Sequence, residues 1–211
     1  MGSGKGKSRR AQNTVASSVG NMATLEGVPV LLVLDDGTKE WRLPSGGLHN
    51  EHGPAVERLD GYKAWCVNDK FHRDGAPAKE YANGRKEWYQ NGELHRVGGP
   101  AVEQEGHKSW YVNGQLHRED GPAVEEDGSK AWYQNNQLHR VGGPALDNES
   151  EKVWYVHGQC HRVDGPAVVG VLGSKEWWLN DKQTTEKEVD KARYLKRLSR
   201  AKLETPGKVT F

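Results

Sequence analysis

The hydrophobic positions of this chain fall in short bursts separated by turn-forming residues. The longest apolar stretch, Val28 to Leu34, has the length of one strand. Further along, segments such as Lys130 to Gln134 are short and aromatic, and Gly, Asn or Asp stands at both ends, which predicts a strand. Only near the end does the beat become helical. Val189, Ala192, Leu195 and Leu198 recur at helix spacing behind the capping box Thr185-Glu-Lys-Glu188, and Pro206-Gly207 stops the run.

The bursts repeat. Trp41, Trp65, Trp88, Trp110, Trp132, Trp154 and Trp177 are spaced 24, 23, 22, 22, 22 and 23 residues apart, and His49, His72, His95, His117, His139 and His161 keep the same beat. Repeats of this length indicate an array or solenoid. Each unit carries two turn signals, as at Asp127-Gly128 and Asn135-Asn136, and a Gly-Pro break after each His-Arg. The expected fold is therefore all-β: an elongated, single-layer antiparallel meander of about six tandem ~22-residue hairpin repeats, three short strands to a unit, with a C-terminal capping helix. Val30 to Trp41, turning at Asp36-Gly37, reads as a degenerate first unit.

If both turns are two-residue loops, Tyr133 faces Leu138, Trp132 faces His139, Glu125 faces Lys130 and Val124 faces Ala131. One face then holds Val, Ala, Tyr and Leu, the expected core, and Cys66 and Cys160 fall on it as buried, unreactive thiols. The other holds one Trp and one His per unit beside a Glu–Lys pair. Trp65, Trp88, Trp110, Trp132, Trp154, His95, His117 and His139 form the candidate partner-binding face, because Trp anchors dominate interfaces. The bland alternative is a His that packs on Trp and hydrogen-bonds a turn backbone.

Composition and charge refine this picture. Hydrophobic residues make up 34% of the 211 and Gly numbers 26, which suits many turns better than a thick core. The net charge of +1 hides basic ends. Lys5, Lys7, Arg9 and Arg10 give residues 1–20 a charge of +4, and residues 182–211 carry +5, leaving the body near −8. Three segments follow: 1–26 a flexible basic arm, 27–181 the repeat array, 182–211 an amphipathic basic helix and tail. Lys5, Lys7, Arg9, Arg10, Lys196, Arg197 and Arg200 are the candidate polyanion contacts; four charges on an arm give weak, salt-sensitive binding. No stretch suits a membrane span or a secretory signal, and two cysteines make no disulfide framework, so a cytoplasmic or virion setting is expected.

Catalytic look-alikes fail on context. Gly2 to Ser8 ends like a phosphate-binding loop, but no strand precedes it. His72-Arg73-Asp74 spells a kinase triplet that lacks its partners, and it is one of six equivalent His slots. Distinctive residues stand in rows, whereas a catalytic site is one asymmetric set of unlike groups. The expectation is no catalysis, no cofactor and no metal.

The element Trp-Tyr-x-Asn-Gly, at Trp88 to Gly92 and Trp110 to Gly114, resembles the hairpin repeats of the MORN class and the related YwqK-type antitoxin-like repeats. Leu-His-Arg-x-x-Gly-Pro-Ala, at Leu94 to Ala101 and Leu116 to Ala123, is similar to repeats of uncharacterised proteins of large phages and giant viruses. The resemblance covers roughly residues 30–180 and implies a twisted sheet used for interaction or scaffolding. Three roles compete: an assembly component, such as one of a phage particle; a soluble binder of the antitoxin or anti-defence kind; and a nucleic-acid-associated protein acting through its basic ends. The spacing departs from MORN repeats, so lipid binding is not carried over.

Overall fold

The computed structural model describes residues 27–204, with side chains to 200. The arm expected at 1–26, with Lys5, Lys7, Arg9 and Arg10, lies outside the described residues, as does Pro206-Gly207. Among the described residues the chain is all-β with one helix, Glu186–Glu204. It divides into two compact units, ending and beginning at Gly114 and Gln115.

Fifteen strands follow an antiparallel meander order, here called the ladder. In the first unit they are Val30–Val33, Lys39–Arg42, Val56–Glu57, Lys63–Ala64, Lys79–Glu80, Lys86–Glu87, Val102–Gln104 and His107–Ser109. In the second they are Val124–Glu126, Ser129–Ala131, Leu146–Asp147, Glu151–Val153, Val168–Gly170, Lys175–Leu179 and Lys182–Thr184. The last of these lies just beyond residue 181, so strand structure continues past the boundary expected for the array.

Between ladder strands the chain makes a second, smaller hairpin. Cys66–Val67 pairs with Lys70–Phe71, Tyr89–Gln90 with Glu93–Leu94, Tyr133–Gln134 with Gln137–Leu138, and Tyr155–Val156 with Gln159–Cys160. A unit thus holds four short strands rather than three. The cause is the tryptophan. The Lys130-to-Gln134 segment breaks at Trp132, whose N–H donates to Ala145 O at 2.8 Å while its carbonyl accepts from His139 N–H at 2.9 Å. Trp65, Trp88 and Trp154 make the same two bonds, to Ala78 and His72, Ala101 and His95, and Ala167 and His161. Each of these four tryptophans is the corner where the chain leaves the ladder for its hairpin.

The registers match the pattern. Tyr133 pairs with Leu138, Gln134 with Gln137, Glu125 with Lys130 and Val124 with Ala131. The turn pairs Asn68/Asp69, Asn91/Gly92, Asn113/Gly114, Asn135/Asn136, His157/Gly158 and Asn180/Asp181 all have positive φ at both residues, the geometry of a hairpin that follows strand twist. The core lies on the expected face. The alanine after each Pro (Ala55, Ala78, Ala101, Ala123, Ala145, Ala167) is completely buried. In the second unit Val153, Cys160 and Ala167 form a cluster packed by Leu146, Tyr155, Val168 and Trp178. Cys66 and Cys160 are buried and free, and burial pushes both thiols up to about 11.

The capping box forms: Thr185 N–H donates to Glu188 Oε2 at 3.2 Å, and Glu188 N–H to Thr185 Oγ1 at 3.4 Å. Val189 is fully buried, and Arg193 Nε donates to Val163 O at 3.0 Å. Leu195 and Leu198 stand 52% and 41% exposed. The helix lies against Lys175–Leu179, a strand of 5 residues spanning about 17 Å, whereas 19 helical residues span about 28 Å. The sheet covers the first turns and the rest overhangs.

Candidate functional site

The tryptophan face is built by the arginine of each His-Arg pair. Arg73 lies 3.7 Å over the Trp65 ring, Arg96 3.8 Å over Trp88, Arg140 3.7 Å over Trp132 and Arg162 3.9 Å over Trp154. A guanidinium stacks flat on an indole and is drawn to its negative face. From there Nη1 donates to the Pro carbonyl four residues on, at 3.0–3.1 Å, in Arg73, Arg96, Arg118, Arg140 and Arg162. It also meets the ladder glutamate seven residues on: Arg73–Glu80 at 3.0 Å, Arg96–Glu103 and Arg118–Glu125 at 3.3 Å.

This explains the glycine before each Pro. Its φ is ordinary, but a Cβ at Gly99, Gly121 or Gly143 would stand 3.0, 2.7 or 2.9 Å from the guanidinium carbon. Ala76 occupies the slot beside Arg73, so the arginine can yield by a small shift. Asn50 takes the arginine slot in the first unit and still donates to the Pro54 carbonyl, at 3.0 Å. The arginine's role was not visible in the sequence, where His-Arg served as punctuation; its fixed three-residue distance from the glycine was the available signal.

The histidines reach along the array. His72 Nδ1 accepts from Asn91 N–H at 3.1 Å, His139 Nδ1 from His157 N–H at 3.1 Å, and His161 Nδ1 from Asn180 N–H at 3.2 Å. His49, His95 and His117 make the same contact with Asn68, Asn113 and Asn135, and there the asparagine Oδ1 also stands 2.9–3.1 Å from Nδ1. Each ring therefore binds the turn of the next small hairpin, the turn-backbone role set against partner binding above. The second turn residue adds to it: Gly92, Gly114, Asn136 and Gly158 N–H donate to the carbonyls of Phe71, Leu94, Leu116 and Leu138 at 2.9–3.0 Å.

No family model matches the chain, and no curated protein is significantly similar to it.

Of the candidate face, Trp88 is buried; Trp65, Trp110, Trp132 and Trp154 are half-buried. His95 and His117 are half-buried and His139 is buried. Burial and the neighbouring His157, whose ring centroid lies 4.4 Å away, lower the pKa of His139. Lys196, Arg197 and Arg200 are exposed on the overhanging part of the helix. What this face leaves open is a pair of grooves at equivalent positions. One, of about 700 Å³, is lined by Glu51, His52, Trp65, His72, Arg73 and Asp74; the next, of about 480 Å³, by Arg73, Trp88, Gln90, His95, Arg96 and Val97.

Beside the grooves runs a row of charges that cross-strand pairing makes continuous. In the first unit Lys39, Glu57, Lys63, Glu80, Lys86, Glu103 and Lys108 stand opposite one another in turn. In the second, Glu125, Lys130, Asp147 and Lys152 continue the alternation. Lys63, Lys86 and Lys130 have acids on both sides, and Lys39, Lys108 and Lys152 each stand opposite an acid, so the row offers no positive track to a polyanion. Among the described residues no three His, Cys, Asp or Glu side chains come together to hold a metal ion.

One unit departs from the pattern inside the core. Lys79 stands where other units have Val or Leu, and it is paired across strands with Glu87, whose slot holds Ala64, Ser109, Ala131 or Val153 in other units and Glu40 or Glu176 in the first and last. Glu87 is buried; Arg85 reaches it at 2.7 Å, Lys79 Nζ at 3.6 Å, and Tyr89 Oη donates to it at 3.1 Å. Burial and then the Glu87 charge raise the Tyr89 pKa strongly. The ion pair closes on itself, with Lys79 Nζ 3.8 Å over the Phe71 ring.

Proposed function

We propose that the chain is a non-catalytic repeat scaffold for protein–protein interaction or assembly, and that its Trp/His/Arg face receives an extended protein segment, one groove per repeat step. The carrying observation is the recurrence of the groove: Trp65, His72 and Arg73 line one, and Trp88, His95 and Arg96 the next, at the same repeat positions. A partner that follows such a face engages the same chemistry at each step, which multiplies weak contacts into useful affinity. The MORN-like hairpin motif agrees with a scaffold role. The tryptophans act here as walls held by arginine rather than as free anchors, so specificity falls to the residues at the groove mouths, exposed Asp74 and half-buried Gln90 among them.

A photo-crosslinking side chain placed at Asp74 or at Gln90 tests this in the native host. Both positions should label one common species, and Glu105, exposed at a ladder turn, should not. Equal labelling from Glu105, or none from the groove positions, overturns the reading. The nucleic-acid role, which rests on the basic ends, would appear as labelling that is lost on nuclease treatment.

A further inference from the structure

A sheet with two ends must do something with its edges, because an unpaired strand is a template for another. At the far end the last strand, Lys182–Thr184, is polar and the helix follows it. The near end is different. Val30–Val33 is entirely aliphatic, and Val30, Leu31 and Val33 are 53%, 42% and 37% exposed.

The hydrogen-bond pattern fixes which backbone groups face outward. Leu34 N–H donates to Thr38 O at 2.8 Å, inward. Bonding alternates along an antiparallel strand, so Leu32 and Val30, opposite Glu40 and Arg42, also face inward. Leu31 stands opposite Trp41, whose own N–H turns away to Ala55 O. Leu31 and Val33 therefore present their N–H and C=O groups to the free edge, and among the described residues neither group has a partner there. Pro29, two residues before Leu31, has the same outward parity but no N–H to give.

We propose that this edge pairs with the same edge of a second copy, antiparallel, about a two-fold axis at Leu32. The parity is self-complementary. Leu31 meets the second copy's Val33 and Val33 its Leu31, each pair exchanging both backbone hydrogen bonds, while Leu32 meets its own copy in a non-hydrogen-bonded pair. A register centred on Leu31 would set the Val33 of each copy against the other's Pro29 and leave two carbonyls without a donor, whereas at Leu32 every outward group of Leu31 and Val33 is paired. The segment carries no charge to repel its copy, and the outward-facing Leu31 and Val33 of both copies join into one aliphatic cluster. Such isologous contact is the commonest route to a closed dimer. The proposal is independent of the groove reading: it concerns self-association of the purified chain, and no partner enters its test.

Light-scattering mass across a concentration series should rise from 23.5 kDa toward twice that value, and Leu31→Lys with Val33→Lys should hold it at the monomer. The register has its own test. Directly opposed residues have Cβ atoms about 4.5–5.5 Å apart, within small adjustment of disulfide geometry. Leu32→Cys should form an intermolecular disulfide under mild oxidation, and Leu31→Cys should not. Cys66 and Cys160, buried thiols, serve as the silent background in the wild type. A wild type that stays monomeric at every concentration overturns the proposal, as does bridging by Leu31→Cys as fast as by Leu32→Cys. A monomer whose Leu31 and Val33 amides resist hydrogen exchange would assign the edge to another segment of the chain, and overturns it too. If the double lysine variant loses its circular dichroism spectrum, the wild-type mass and the two cysteine variants decide.

Discussion

The ladder and the small hairpins run side by side through every repeat, yet they are held by different means. Ladder strands bond backbone to backbone, and their side chains vary at matched positions: Val56, Lys79, Val102, Val124, Leu146 and Val168 share one slot. The small hairpins lie in separate two-stranded sheets, and what joins one to the next is a backbone bond from each turn together with side chains that the ladder does not need: a histidine on a turn, an asparagine on a neighbouring strand. Backbone pairing tolerates substitution because every residue supplies the same donor and acceptor. Side-chain pairing does not. The repeat's written motif, Trp-Tyr-x-Asn-Gly followed by Leu-His-Arg-x-x-Gly-Pro-Ala, is accordingly the signature of the hairpins and their corners, with little of the ladder in it.

The largest effect should come where the ladder breaks its own rule. Glu87→Ala removes the acid that holds Lys79, whose side chain is only 15% exposed. Stranding one member of a buried pair costs about 3–5 kcal/mol, and urea unfolding should show it. Adding Lys79→Val recreates the slot composition seen at Val124 and Ala131 and should recover most of the loss. If the double variant is no more stable than the single one, the ladder depends on side chains at this point as much as the hairpins do.

The histidine joints give a smaller effect that is confined to the hairpins. At His72, His139 and His161 the Nδ1 atom has only a backbone N–H partner, so protonation turns an acceptor into a donor with nothing to meet. His72 also has Asp74 at 3.4 Å; the charged neighbour of His139 is His157. Its folded pKa is lowered below the ordinary 6.5. The unfolded chain therefore binds the proton first: stability is complete above about 6.5 and falls as pH drops toward the folded pKa. The lost bond is worth about 1 kcal/mol. Hydrogen exchange at pH 5 should speed at the His157 amide relative to pH 8, after correction for intrinsic rates, while Val153 in the ladder should not follow. Equal change at both amides would mean that hairpins and ladder open together.

The sequence disclosed what depends on period and turn chemistry. Trp spacing set the repeat, Asn135-Asn136 and Asp127-Gly128 set the registers, and Thr185 with Glu188 set the helix start, because each is a local rule. The fourth strand was hidden, since Trp132 looks like one more strand residue until its N–H and C=O are seen to serve different neighbours. The arginine stack was hidden for a related reason: Arg140 and Trp132 are eight positions apart in sequence, and nothing in a hairpin register brings them together. The groove is a consequence of both, so the face could be named from the sequence but not its shape.

The smallest effect probes the turn itself. Asn136 N–H bonds Leu116 O, and its Oδ1 accepts from Leu116 N–H at 2.7 Å. Asn136→Gly keeps the first bond and loses the second, about 1 kcal/mol. It also places glycine at a φ of +63°, where an L side chain is strained by about 1–2 kcal/mol, though less for Asn than for most. The two terms oppose, and glycine's greater unfolded-state entropy adds to the loss. The expected net change is within about 0.5 kcal/mol, read as a shift in urea midpoint. Gly92, Gly114 and Gly158 already fill this slot, which fits near-neutrality. Asn135→Ala should behave otherwise. It forces alanine to a φ of +49° and removes the Oδ1 that meets His117, with no compensating gain. If Asn136→Gly is the costlier of the two, the side-chain bridge to Leu116 outweighs the turn, and the hairpins are joined more by asparagine than by histidine.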